Sequence, residues 1–78
     1  MSIDSRPALR AFISDLAVGA MFTDDVDLVK EGIVSSLQLM ELIAFLEDRF
    51  GVVVTAVDLH NARLASVATM AALIEEFS

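Results

Sequence analysis

Two adjacent serines, Ser35 and Ser36, stand where an acidic stretch runs into the most apolar helical segment of the chain, Leu37-Gln38-Leu39-Met40-Glu41-Leu42. A hydroxyl at such a junction has two uses: it can cap a helix start by accepting a backbone N–H, or it can carry another group. The pair allows these tasks to be divided. Ser35-Ser36-Leu37-Gln38 has the S-x-x-Q form of a capping box, in which the Ser35 hydroxyl accepts from the Gln38 backbone N–H and the Gln38 side chain reaches back. Ser36 is then free, points outward and is open to modification. The plainer alternative is that both serines are structural, since Ser at a helix start is far more often a cap than a modification site.

Other constellations carry less. Metal binding asks for clustered ligands, and His60 is the single histidine, with Asp58 two positions away on a different helical face. No metal site is expected. Asp24-Asp25 and Asp27 resemble part of a calcium loop but lack its glycine and terminal Glu, and read as solvated loop charge. A serine hydrolase would need a G-x-S-x-G turn on an α/β sheet, and neither motif nor sheet is present. Glycine-rich phosphate loops are absent too, so no catalytic residue is assigned.

The elements that must position the serines are helical. Ser5 or Asp4 can cap a first helix with Pro7 in its opening turn, and Leu9, Phe12, Ile13 and Leu16 follow the spacing of one buried face. The pattern predicts a helix over 5–18 that ends near Gly19. Residues 20–35 keep no sustained period and form a long loop, pinned to the bundle by scattered apolar side chains; loops of this length are often functional. The second helix starts at the serines and stops at Gly51, with Leu39, Leu42, Ile43, Leu46 and Phe50 on its buried face. Its other side carries Leu37, Met40, Glu41, Ala44 and Asp48, a mixed apolar and acidic surface with little reason to be buried, while Phe45 falls between the faces. Residues 52–55 are β-branched but have no strand to pair with and should form an extended connector. A short helical turn over 57–62, with Leu59 buried, and a last helix capped by Ser66, with Val67, Met70, Ala71, Ile74 and Phe77 in register, complete an all-α chain of three main helices, one short helix and a long first loop.

Composition agrees. Seventy-eight residues make one small domain, which buries only about 60% of its unfolded surface. A hydrophobic share of 56% with one Pro is that of a compact helical protein rather than a disordered one. Twelve acidic against five basic side chains give a net charge of −7, which disfavours nucleic acid and anionic membranes and favours partners with basic patches. There is no Cys, so thiol chemistry needs a thiol brought by a cofactor. The first residues lack a secretory pattern, and no apolar run reaches the ~18 residues of a membrane span, so a cytoplasmic protein is the expectation.

At this point the chain resembles the acyl carrier proteins over essentially its whole length. The family hallmark is an Asp-Ser-Leu tripeptide opening the second helix and followed by a Glu-Leu pair; Ser35-Ser36-Leu37 and Glu41-Leu42 stand in those places. Leu46-Glu47-Asp48-Arg49-Phe50-Gly51 is similar to the acidic, Phe-terminated end of that helix, and Asp58-Leu59, Asn61 and Ser66-Val67 resemble later landmarks.

The resemblance implies a four-helix acyl-carrier bundle forming a single carrier domain over residues 1–78. It implies that Ser36 receives 4′-phosphopantetheine covalently from coenzyme A through a separate magnesium-dependent phosphopantetheinyl transferase. The chain would then be a non-catalytic, monomeric carrier that holds an acyl group as a thioester. Loading, acyl-transferring and condensing enzymes would dock on Leu37, Met40, Glu41, Ala44, Glu47 and Asp48.

The chain departs from the family at Ser35, which replaces the usual Asp, and at Gln38, which removes a carboxylate often found there. The cap is preserved and negative charge is lost. With Gly32-Ile33-Val34 leading into the serines, the pattern is closer to discrete carriers of polyketide and nonribosomal peptide pathways than to those of fatty-acid synthesis. Competing readings are a helical interaction module using the Leu37, Met40 and Ala44 face with both serines structural, and a small hydrolase using Ser36.

Overall fold

A computed structural model of the chain describes residues 4–77. Four helices follow one another: α1 (Arg6–Leu16), α2 (Ser36–Phe50), α3 (Ala56–His60) and α4 (Val67–Glu76). No strand occurs among the described residues, and none of their helices is long and apolar enough to cross a membrane. The all-α expectation holds, with three main helices, one short helix and a long first loop.

Three of the four helix starts are written as capping boxes. Ser35 accepts from Gln38, Thr55 from Asp58 and Ser66 from Thr69, each with the reciprocal bond back to the cap backbone, so two otherwise orphaned donors are satisfied at each start. The first helix differs. Ser5 makes no side-chain cap bond, and Asp4 Oδ1 accepts the Arg6 N–H at 3.1 Å instead. α1 also stops at Leu16, short of the expected 18, because the backbone leaves helical geometry at Ala17. α2 ends as the sequence indicates, on Gly51 at φ +69°, a left-handed conformation that costs glycine nothing.

The core is one cluster: Leu9 and Ile13 from α1, Leu42, Ile43 and Leu46 from α2, Val67, Met70, Leu73 and Ile74 from α4, and Leu28, Val34, Val52 and Leu64 from the connections. Phe45 joins the inner side, stacked on Phe12 with ring centroids 4.2 Å apart and set edge-on to Phe50 at 5.9 Å. Leu28 is fully buried and holds the long loop in place. Its N–H donates to the Ala65 carbonyl at 2.8 Å, and its own carbonyl accepts from Ile33 and Val34.

Two expectations about inward-facing residues are corrected. Leu59 is 46% exposed, and Asp58 takes the inward position on α3. Phe77 lies just past the end of α4 and is 48% exposed, while Leu73 supplies the buried contact. Asp58 can be buried because its carboxylate is well supplied: Oδ2 accepts from the Thr55 N–H and hydroxyl, both at 3.0 Å, and Oδ1 accepts from Arg63 at 3.1 Å. Arg63 also pairs with Glu76, tying the end of α3 to the end of α4. The turn after α3 is closed by Ala62 N–H to Leu59 O and Arg63 N–H to Asp58 O, with Ala62 left-handed at φ +57°, the pattern of a Schellman motif. The reading of Asp24 and Asp27 as solvated charge also needs revision, because Asp24 takes a bidentate bond from Arg10 at 2.7 and 2.5 Å and Asp27 accepts the Lys30 N–H at 2.9 Å.

Leu46→Ala is expected to cost about 2–5 kcal/mol in urea denaturation, a large share of the stability of so small a domain. Met40→Glu, on the exposed side of the same helix, should change stability by only about 0.5 kcal/mol. Equal losses would mean that the faces of α2 are assigned the wrong way round.

Hydrogen bonds from the Thr55 N–H and hydroxyl, together with the Arg63 charge, hold the Asp58 carboxyl below the ordinary carboxylate value. A lowered folded-state value means that the stabilisation is complete above the unfolded value and is lost as pH falls through the folded one. Asp58→Asn should therefore lower the melting temperature at neutral pH, and the gap to wild type should narrow as the pH is taken below 4, within the range where both chains stay folded.

Candidate functional site

The serine junction has the geometry that capping chemistry requires. Ser35 is the N-cap of α2, in extended conformation, and its hydroxyl accepts the Gln38 N–H at 3.1 Å while its own N–H donates to Gln38 Oε1 at 2.9 Å. Ser36 is the first residue of α2 and is exposed. Among the described residues its hydroxyl has no hydrogen-bond partner, so the two serines differ in engagement although they are neighbours in sequence. The N–H groups of Ser36 and Leu37 also find no acceptor among the described residues, and α2 carries no acidic side chain in its first turn. Free N–H groups and the positive end of the helix dipole favour an anionic group bonded at Ser36 by about 0.3–1 kcal/mol when exposed.

Around the junction lies an apolar and acidic surface. Leu37 and Met40 are 74% and 60% exposed, and Glu41, Ala44, Glu47 and Asp48 are exposed further along α2. Glu47 is not wholly free, since its Oε2 accepts the Val54 N–H at 3.2 Å and steadies the connector after α2. No ion pair among the described residues involves α2, so Glu41 and Asp48 face solvent unneutralised.

A second feature was not legible from sequence spacing. A shallow recess of about 170 Å³ is lined by Asp27, Val29, Leu39, Leu59, Ala62, Leu64 and Ala65. Its residues come from the long loop, from α2, and from α3 with the connection that follows it, and Leu39 lies one turn along from Ser36. This recess explains the exposure of Leu59: the side chain lines a groove instead of filling the core. The only sequence signal was an apolar residue at a position where the short helix turned out to bury an acid. At the α1 end, Val18 and Met21 are also strongly exposed, Met21 by 94%, a feature that periodicity could not assign to either side. No three His, Cys, Asp or Glu side chains converge as a metal cluster among the described residues, and His60 is exposed.

Residues 9–74 match the family described as the phosphopantetheine attachment site. The chain belongs to that family. The match covers all of α2 and reaches from α1 into α4, and the family consists of carriers that bear covalent 4′-phosphopantetheine and work with transferases and acyl-handling enzymes. No curated protein and no solved structure gives a significant match. The carrier's residues fit such a group in one respect that can be read directly: it offers an exposed, unengaged hydroxyl beside unpaired helix N–H groups.

Ser35→Ala is expected to destabilise the carrier by roughly 1 kcal/mol through loss of the cap. Ser36→Ala should be neutral to within about 0.5 kcal/mol, because its hydroxyl bonds to nothing. Urea denaturation of the two unmodified variants checks the division of labour, and a Ser36→Ala loss equal to that of Ser35→Ala would contradict it.

Proposed function

We propose that this chain is a single-domain, monomeric carrier whose Ser36 is the attachment point for 4′-phosphopantetheine, and that it presents acyl intermediates to partner enzymes in polyketide or related specialised-metabolite biosynthesis. The observation that carries the attachment assignment is the contrast between the serines: the Ser35 hydroxyl is committed to the capping box and that of Ser36 is uncommitted. In the attachment step, the Ser36 oxygen attacks the phosphorus of coenzyme A that bears the pantetheine arm. The pyrophosphate bond breaks, adenosine bisphosphate leaves, and the Ser36 proton passes to a base of the transferase. Once attached, the group supplies a terminal thiol that holds the acyl cargo as a thioester, which suits a chain without Cys.

The chain's own residues then do three things. Ser36 anchors the arm at a rigid helix start. Leu37 and Met40 offer apolar contact to partners, with Glu41, Ala44, Glu47 and Asp48 extending the surface along α2; the carboxylates among them favour partners with basic patches. The apolar recess at Val29, Leu39, Leu59 and Leu64 offers a place for the nonpolar part of a cargo to leave water. The pathway reading rests on the reduced acidity of the junction, where Ser35 and Gln38 stand in place of carboxylates. A role in fatty-acid synthesis is the alternative within the same family.

Incubation with coenzyme A and a broad-specificity phosphopantetheinyl transferase should raise the intact mass by one phosphopantetheinyl group, and Ser36→Ala should abolish the rise. Modification that persists in Ser36→Ala but vanishes in Ser35→Ala would show the other hydroxyl to be the anchor. Sedimentation of the unmodified chain should give a monomer; a tight dimer would point to an interaction module.

A further inference from the structure

Gln38 does more than close the capping box. Its Oε1 accepts the Ser35 N–H at 2.9 Å, and its Nε2 donates to the Leu16 carbonyl at 3.0 Å, 22 residues away at the last turn of α1. The two partners fix the orientation of the amide, because a backbone N–H can only donate and a carbonyl can only accept. One side chain therefore satisfies an orphan donor at the start of α2 and an orphan acceptor at the end of α1. Ser36 lies in the turn that the bond from Ser35 to Gln38 closes, next to Ser35 in the chain.

We propose, resting on the assignment of Ser36 as the attachment point, that Gln38 is a positioning residue for the transfer to Ser36. It clamps the serine junction onto the end of α1, so that the Ser36 hydroxyl is presented from a fixed helix start. The clamp needs a group that accepts and donates at once, which the Gln amide does at neutral pH and the isosteric carboxylate of Glu does not. A carboxylate at this position keeps the bond from Ser35. It cannot donate to Leu16, and it sets negative charge against a carbonyl at the negative end of the α1 dipole. A neutral residue at position 38 thus suits the contact between α1 and α2, and that contact accounts for the Gln38 share of the junction's reduced acidity.

The test is the kinetics of phosphopantetheinyl transfer from coenzyme A by a broad-specificity transferase, with the chain as varied substrate. Gln38→Glu keeps the Ser35 bond, removes the Leu16 bond and adds a negative charge, and Gln38→Met removes both bonds without adding charge. Ser35→Ala weakens the helix start but leaves both Gln38 side-chain bonds in place. Both Gln38 variants should lose about two- to tenfold in kcat, the span expected for one hydrogen bond, with KM not raised in Gln38→Glu. Ser35→Ala should keep its kcat although it is less stable. An independent readout is hydrogen exchange of the Gln38 side-chain amide by NMR, which should be slower than that of the exposed Asn61 amide.

Wild-type kcat in Gln38→Met, an equal loss in Ser35→Ala, or a Gln38 amide that exchanges as fast as that of Asn61 would each overturn the proposal while leaving the attachment reading intact. A wild-type chain that is not modified at Ser36 overturns the attachment reading and this proposal with it.

Discussion

The long connection between α1 and α2 has to be held still for the serine junction to exist, and its fixed point is Leu28. Ordering a residue's backbone costs roughly 1–2 kcal/mol, whereas burying one leucine returns only about 1.5–3 kcal/mol. A single anchor therefore cannot hold residues 17–35. Leu28 succeeds because its buried side chain is joined by backbone bonds in both directions, from its N–H to Ala65 and from Ile33 and Val34 to its carbonyl. A second tie runs from the Ala68 N–H at the start of α4 to the Asp24 carbonyl at 2.9 Å, and Val34 is buried just before the serines. With both ends of the loop fixed, Ser35 reaches the start of α2 already extended and able to cap.

The charges are distributed in a way that fits a docking protein. Three of the five basic residues, Arg6, Arg10 and Arg63, pair with Asp4, Asp24, Asp58 and Glu76, none of which lies on α2. Exposed pairs of this kind contribute only about 0.2–1 kcal/mol each, so their weight in folding is small apart from the half-buried Asp58 network. Their larger effect is on the field. Only one cation, Arg49, lies on α2, against Glu41, Glu47 and Asp48, so the helix stays net negative in a molecule that already carries a net charge of −7. That potential steers partners with basic surfaces before any contact forms. At the junction itself the field is weaker, because the neutral Ser35 and Gln38 leave the helix dipole uncompensated by side chains.

Much of this architecture was legible because it depends on neighbours in sequence. The capping signal at Ser35 and Gln38, the stop at Gly51 and the buried stripe through Leu42 and Leu46 are set by interactions three or four residues apart. The exchange of Leu59 for Asp58 in the buried position on α3 was not legible. A five-residue helix has too few turns to show a period, and an acid is an acceptable inward residue only once Thr55 and Arg63 are known to supply its hydrogen bonds. The recess beside α2 was hidden for a related reason, since it is built from three segments that only the folded chain brings together.

The sequence alone determined that the chain is helical, where α2 begins and ends, and which of two serines is committed to capping. Those are local matters of propensity, spacing and hydrogen-bond reach. Only the tertiary structure decided how the long loop is anchored, that Leu59 lines a groove, and that Gln38 reaches the end of α1. Each of these rests on a contact between residues far apart in the chain, whose partner a local pattern cannot name.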